Sequence, residues 1–417
     1  MKYYIITYGC QMNKSDSERI AAVLENIGYK KAQNENEADL LVVNACSVRQ
    51  SAIDRVYGLA EKLSNFKTKK RGLKTLLTGC LLRADKNKLR QRFDYVLDIK
   101  TLSLWPKLLN GQSKRLPANY LDVMPAYQSA FSAFVPISTG CNNFCSYCAV
   151  PYAKGREICR PADKIVAEIK NLVKSGYKEI WLLGQNVNSY KDGNTDFSCL
   201  LKIVNNIPGD FWIRFTSSHP KDFSDKLIEA MAGCEKVTEY LNLPVQAGDN
   251  KVLKSMNRPY TIKHYESIIA KLRKKIPNLT LSTDVIVGFP SETKKQFANT
   301  AKLFRKIKFD MAYIAEYSPR PATSASRLKD SVSSAEKKQR RQTLTDILRE
   351  TALEKNREYL GKKVLVLPEQ WQKGFLTGKS REYKTVKLKG PKNLVGNFTP
   401  VKIIASLSWG LTGKILK

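Results

Sequence analysis

The chain has 417 residues, and 71 Lys+Arg against 38 Asp+Glu give a formal net charge of +33. Hydrophobic residues make up 42% of it, which excludes a disordered basic protein, and its length excludes a small disulfide-stapled domain. No apolar run reaches the roughly 18 residues of a membrane span, and MKYYIITYGC lacks a signal peptide's long apolar stretch, so the expectation is a soluble cytoplasmic protein with a polyanionic partner, nucleic acid ahead of an anionic membrane surface.

Short apolar runs alternate with helical patterns at the start. Strands are predicted at 3–8, 40–44, 73–78 and 95–99, with helices over 16–27 and 48–63. Apolar strands separated by helices imply a parallel sheet with helices on its faces. This first α/β domain is placed at 1–115, and 111–133 reads as a linker for want of periodicity. A second α/β domain, 130–355, has candidate strands at 134–138, 179–184, 211–216, 239–243, 280–287 and 310–315. Helical patterns lie between most of them, at 162–174, 223–231, 260–275 and 292–306. Six β/α units imply a partial or full β/α barrel. A charged helix over 334–359 leads away. The last domain, 356–417, has β-rich runs split by Gly and Pro, the pattern of a small antiparallel β-barrel.

There are nine cysteines and two histidines, His219 and His264. In a reducing compartment, clustered cysteines mean metal or catalysis more often than disulfides. In STGCNNFCSYCAVPYAKGRE, Cys141, Cys145 and Cys148 stand as CxxxCxxC directly after a predicted strand. Three thiolates without a close fourth suit a 4Fe-4S cluster with one iron left open; a structural zinc loop would want four ligands. Cys159 is a fourth candidate by proximity alone, and with Cys199 and Cys234 it is read as a non-ligand thiol. Cys10, Cys46 and Cys80 are separated by 36 and 34 residues, yet each follows a predicted strand, in TYGC, VVNAC and LLTGC. In a parallel sheet those ends share one edge, so three thiols converge there, with Gly9 and Gly79 leaving room for a bulky group. Three small buried strand-end residues are the alternative.

Later strand ends carry polar residues at the face where barrel enzymes hold ligands. They are Gly184, Gln185, Asn186 and Asn188; Arg214, Thr216, Ser217, Ser218 and His219; Gln246; and Ser282, Asp284 and Gly288. Together they suggest a pocket for a polar cofactor; singly, each is equally a capping or loop residue. His219 reads as a turn residue as readily as a base, and Tyr147 as a stacking ring or a packing one. Residues 361–417 hold 12 Lys/Arg against 2 Asp/Glu. With Trp371, Phe375 and Tyr383 interleaved, this barrel is expected to bind RNA through stacking and phosphate contacts, rather than merely present a solvated basic face. Trp371, Lys373, Lys379, Arg381, Lys384 and Lys387 are the candidates. Lys67, Lys69, Lys70 and Arg71, and Lys337, Lys338, Arg340 and Arg341, are expected to extend the positive surface without specifying a base.

The segments TYGCQMNKSDSE, LLVVNACSVRQSA, TLLTGC, STGCNNFCSYCAVPYAKGRE, LLGQNVNSY, RFTSSHP, LPVQAG and VGFPSET closely resemble the bacterial tRNA methylthiotransferases of the radical S-adenosylmethionine class, over essentially the whole chain. GCQMN, GQNVNSY and RFTSSHP favour the branch that acts on N6-isopentenyladenosine-37 of tRNA. The resemblance implies a partial barrel of the radical SAM type, two 4Fe-4S clusters and S-adenosyl-L-methionine. Cys141, Cys145 and Cys148 would hold the radical cluster, whose open iron binds S-adenosylmethionine. Cys10, Cys46 and Cys80 would hold an auxiliary cluster that carries or delivers the inserted sulfur. One S-adenosylmethionine would supply the methyl group. A second would supply the 5′-deoxyadenosyl radical that removes hydrogen from adenine C2, a C–H inert to acid–base chemistry. The expected cofactor-binding residues are Tyr147, Gln185, Asn186, Ser217, Gln246 and Asp284. The expected partners are tRNA, a one-electron reductant such as flavodoxin and a sulfur donor, with no membrane and the chain a monomer. Departures from the family pattern are Tyr240 and Asn242 where His-x-His is common, Ala247-Gly248 where SG is usual, and Lys154 where arginine is common. The competing readings are the same chemistry on threonylcarbamoyladenosine or a ribosomal protein, and a non-catalytic iron–sulfur RNA-binding protein.

Overall fold

Valine and leucine are concentrated in the central strands of the first sheet, whose two faces are covered by helices. The computed structural model describes residues 1–70, 72–109 and 116–416. In it, β1 (Lys2–Thr7), β2 (Lys30–Lys31), β3 (Leu40–Cys46), β4 (Lys74–Cys80) and β5 (Tyr95–Val96) pair in parallel in the order β2-β1-β3-β4-β5. All seven residues of the central strand β3 are buried. Helix α1 (Gln11–Asn26) starts five residues before the expected position, because Gly9 turns the chain at φ +130° and Cys10 becomes the N-cap. Helix α2 (Gln50–Lys69) follows β3. Of the basic run expected at 67–71, Arg71 and the side chains of Lys67 and Lys69 lie outside the described residues, and Lys70 pairs with Asp39 at 3.1 Å. The segment read as a linker is packed where it is described: Tyr120, Leu121 and Val123 are buried with Ile20 and Leu24 of α1.

Next come β6 (Ser132–Pro136), the pair β7 (Ser138–Thr139) and β8 (Ile158–Cys159), β9 (Glu179–Leu183), the hairpin β10 (Lys191–Asp192) and β11 (Thr195–Asp196), β12 (Trp212–Phe215), β13 (Tyr240–Asn242), β14 (Thr280–Val287) and β15 (Met311–Glu316). β6, β9 and β12 are parallel neighbours, as are β13, β14 and β15, and a parallel bridge from Ile213 to Val237 joins the two sets. Six parallel strands thus make a partial barrel. Its strands alternate as a half-covered sheet must. Ile180, Leu182, Ile213, Phe215 and Leu241 pack outward in the large core. Glu179, Trp181, Arg214 and Tyr240 turn inward. The expected outer helices are present, and Phe197–Asn205 adds one more, capped by Asp196, which accepts from Cys199 N at 2.8 Å. Its nine residues are too short an apolar run to separate from a strand by pattern.

β16 (Lys363–Gln372), β17 (Phe375–Ser380), β18 (Thr385–Lys389), β19 (Thr399–Leu407) and β20 (Gly410–Ile415) close a small barrel around Val366, Leu376, Val386 and Val401. Four of its seams are antiparallel, and the β18–β20 seam is parallel. The turn between β17 and β18 enters the lumen of the partial barrel. There Arg214 donates to Glu179 Oε1 at 2.6 Å, to the Ser380 carbonyl at 2.8 Å and to the Arg381 carbonyl at 2.9 Å. Three of the residues expected to bind RNA have partners within the protein. Lys384 is buried against Asp310 at 2.6 Å, Arg381 pairs with Glu239 at 2.8 Å, and Lys379 Nζ donates to Thr385 Oγ1 at 2.7 Å. Trp371, Lys373, Phe375 and Lys387 are exposed. Lys337 and Arg340 likewise leave the positive surface. Both are buried, on Asp330 at 2.5 Å and Glu292 at 2.7 Å, because their helix (Ser334–Arg357) turns them onto the partial barrel. Among the described residues, no helix is long and apolar enough to cross a membrane.

Candidate active site

Parallel pairing sets Cys46 opposite Cys80 at the ends of β3 and β4, and Cys10 follows β1, the next strand over. Three thiols therefore stand along one sheet edge. Asn13 and Asn44, not singled out in the sequence, tie that edge together. Asn13 Nδ2 donates to the Ala45 carbonyl at 2.9 Å, and Asn44 Nδ2 donates to the Asn13 carbonyl at 2.8 Å. A Cβ on Gly79 (φ +107°) would fall 2.3 Å from the Ala45 carbonyl oxygen, and one on Gly9 would fall 3.0 Å from Cys46 Cβ. Gly79→Ala is expected to cost about 1–2 kcal/mol from backbone conformation alone, more with the overlap, and to empty this site of iron while the other triad keeps its own. Iron per chain and the urea midpoint measure this; full iron in the variant would contradict it. The Cys80 thiol donates to Cys46, which, with the Val48 and Arg49 amides, holds the Cys46 thiol below its ordinary range. The same bond and burial push Cys80 up.

Cys141, Cys145 and Cys148 lie in a loop just after β7. Ser146 N donates to the Met256 carbonyl at 3.0 Å, Ser146 Oγ to the Ser255 carbonyl at 2.8 Å, and Asn257 Nδ2 to the Phe144 carbonyl at 3.0 Å. Buried Arg258 directs a guanidinium nitrogen to Cys145 Sγ at 3.7 Å and donates to the Pro244 carbonyl at 2.8 Å. No motif spacing marks Arg258 in the sequence. Burial pushes the Cys141 thiol up and the Cys148 thiol up to about 12. Buried thiolates need a strong counter-charge, which cluster iron would supply.

Both triads line a single cavity of about 560 Å³. Five expected cofactor contacts line it too: Tyr147, Gln185, Ser217, Gln246 and Asp284. Asn186 does not; its Nδ2 donates to Asp222 Oδ2 at 2.7 Å, so it braces the turn instead. Ser217 (φ +68°) and Gln246 (φ +66°) hold left-handed backbone, strain of the kind kept at ligand sites. Ser218 Oγ and His219 Nε2 line the cavity buried and without a protein partner. His219 Nδ1 accepts from Lys221 N at 3.2 Å, and burial drives the ring down to about 2, so it is neutral with its proton on Nε2. Unspent polar groups of this kind fit a polar ligand such as S-adenosylmethionine. The cavity floor is aromatic. Tyr383, expected on the RNA-facing surface, packs at a tilt 4.3 Å from Tyr240 and edge-on 5.2 Å from Trp181, centroid to centroid. Asn242 Nδ2 donates to Asp284 Oδ2 at 3.1 Å, and burial pushes the Asp284 carboxyl up. Cys159, Cys199 and Cys234 lie outside this lining. Among the described residues, no three His, Cys, Asp or Glu side chains close on a point for one ion. Lys154, unremarked in the sequence beyond its departure from arginine, also lines the cavity. Its Nζ lies 3.3 Å from Asp16 Oδ2, both residues being buried. Burial opposes its charge, but the Asp16 carboxylate prevails and holds the ammonium above its ordinary range.

A three-thiolate loop on a six-stranded partial barrel, facing a polar cavity, defines a radical S-adenosylmethionine protein. The Radical SAM superfamily model matches residues 135–304, and that of "Uncharacterized protein family UPF0004" matches residues 2–99. The fold is similar to the radical S-adenosylmethionine methyltransferase TsrM from Kitasatospora setae, with TM-score 0.55 and 11% identity over 78% of this chain and 77% of that one. The tRNA-2-methylthio-N(6)-dimethylallyladenosine synthase of Thermoanaerobacter sp. is 42% identical over 437 residues, spanning 100% of this chain and 93% of that protein. The enzyme of the same name from Dictyoglomus thermophilum is 39% identical, spanning 100% of this chain and 99% of that protein. The chain belongs to the family of tRNA-2-methylthio-N(6)-dimethylallyladenosine synthases.

Proposed function

We propose that the protein methylthiolates adenine C2 of N6-isopentenyladenosine-37 in tRNA, using two S-adenosylmethionine molecules and two 4Fe-4S clusters. The observation that carries this reading is the shared cavity: a radical source and a sulfur source must reach the same carbon, and both triads face one space. Cys141, Cys145 and Cys148 would hold the radical cluster, and Cys10, Cys46 and Cys80 the auxiliary one. When bound, the clusters and S-adenosylmethionine together would supply what a C2–H lacks, a 5′-deoxyadenosyl radical to remove the hydrogen and the sulfur and methyl that replace it. The chain positions and encloses. Gln185, Ser217, Gln246, Asp284 and the His219 Nε2–H offer polar contacts to S-adenosylmethionine, and Trp181, Tyr240 and Tyr383 exclude water from the floor. On the small barrel, Trp371, Lys373, Phe375 and Lys387 offer stacking and phosphate contacts to tRNA; Lys387 Nζ sits 4.6 Å from the Phe375 ring centroid. A one-electron reductant such as flavodoxin and a sulfur donor complete the system, in the cytoplasm.

Nucleoside mass spectrometry of tRNA from strains with and without the gene tests this. Deletion is expected to abolish the methylthiolated isopentenyladenosine and to accumulate its unmodified precursor. Loss of a methylthiolated threonylcarbamoyladenosine instead would overturn the substrate.

A further inference from the structure

We propose that Lys154 is the counter-charge of the Cys10–Cys46–Cys80 site, an ammonium supplied by the radical loop's own helix that sets how readily the group held by those thiolates accepts an electron. The inference rests on the reading of that site as an auxiliary cluster. Lys154 ends the short helix Val150–Lys154, just past the radical cysteines, yet it reaches across to Asp16 of α1. Lysine is rarely so buried without a partner, and a buried ion pair is seldom better for stability than well-packed apolar side chains. Its placement therefore asks for a reason beyond packing. Of its three N–H donors, the one to Asp16 is satisfied, and the ammonium otherwise faces the cavity that holds both triads. Asp16 in turn keeps its Oδ1 without a partner, so the pair is not closed on itself. The other cations lining the cavity are placed differently. Arg258 is committed to Cys145, Pro244 and Tyr260, and Lys14 and Arg49 are exposed to solvent, which screens them. Lys154 is thus the buried positive charge on the Cys10–Cys46–Cys80 side, because its helix packs against β4, the strand that ends at Cys80. A nearby positive charge favours the more reduced, more negative state of a cluster, and a nearby uncompensated carboxylate disfavours it.

The test is an EPR-monitored redox titration of the full chain, reconstituted with iron and sulfide, carrying C141A, C145A and C148A so that one cluster signal remains. Lys154→Met is expected to move the midpoint to a more negative potential, and Lys154→Arg to hold it near the parent value. Asp16→Asn, which leaves the ammonium uncompensated, is expected to move it the opposite way from Lys154→Met. Should Lys154→Met fail to fold, the double variant without either charge and Asp16→Asn carry the test. A residue that only joined the two domains would give no such opposition of sign. An unchanged midpoint in Lys154→Met at full iron content, or shifts of one sign in both single variants, would overturn the inference. A parent chain that binds no iron would instead bring down the auxiliary-site reading, and the inference with it.

Discussion

Anaerobically reconstituted protein should carry about eight iron per chain, and replacing Cys10, Cys46 and Cys80 by alanine should leave about four. One triad comes from the edge of the first sheet and the other from the loop after β7, and they share no ligand, so each is expected to load independently. Product analysis then separates their roles. Without Cys141, Cys145 and Cys148, reduction in the presence of S-adenosylmethionine should give no 5′-deoxyadenosine. Without the other triad it should still give 5′-deoxyadenosine but no methylthiolated nucleoside. Four iron in the parent, unchanged when Cys10, Cys46 and Cys80 are replaced, would sink the two-cluster reading. No 5′-deoxyadenosine from the intact protein would revive the non-catalytic one. Alanine at Cys159 or Cys199 should leave the iron content untouched, because neither lines the cavity.

Arg214→Met is expected to lower stability by about 3–5 kcal/mol, the usual cost of removing one partner of a buried ion pair. The guanidinium holds Glu179 and Thr238 within the partial barrel and two carbonyls of the inserted turn, at 2.6–3.1 Å. Methionine would leave the carboxylate with only Ser132 Oγ and Trp181 Nε1 as donors, and both carbonyls without their charged partner. Lysine should not rescue it, since one ammonium cannot span this fork. Urea unfolding measures the loss, and limited proteolysis should cut earlier between the helix ending at Arg357 and the first barrel strand. Removing Glu179 as well should recover part of the stability. A loss below about 1 kcal/mol, the scale of an exposed pair, would show that the turn docks by other means.

Both cysteine triads were legible because their signals are local: a strand, then a thiol. The polar rim was legible for the same reason, except that Asn186 turned to the loop after β12, where it bonds Asp222. The start of α1 was not, because Gln11–Lys14 carry no apolar period ahead of Asp16. The small barrel was legible as a barrel, but its inward and outward basic residues were not told apart. Lys384 and Lys387 look alike in sequence, and only docking onto Asp310 distinguishes them. Arg214 and Ser380 are 166 positions apart, and Asp16 and Lys154 are 138 apart. Pairings at such separations leave no period or spacing to read. Tyr383 illustrates the cost: an aromatic among lysines suggests stacking on RNA, while the folded chain spends it on Trp181 and Tyr240.

That placement of Tyr383 bears on the order in which the protein is made. All six cysteines of the cavity precede the Ser380–Lys384 turn in the chain. Domains generally fold as units, the amino-terminal ones first during synthesis. A growing chain therefore completes both cysteine triads while the space between them still lacks its floor. The turn that lays the floor emerges after both triads, so maturation with iron has one more open side early than once Tyr383 has settled on Trp181.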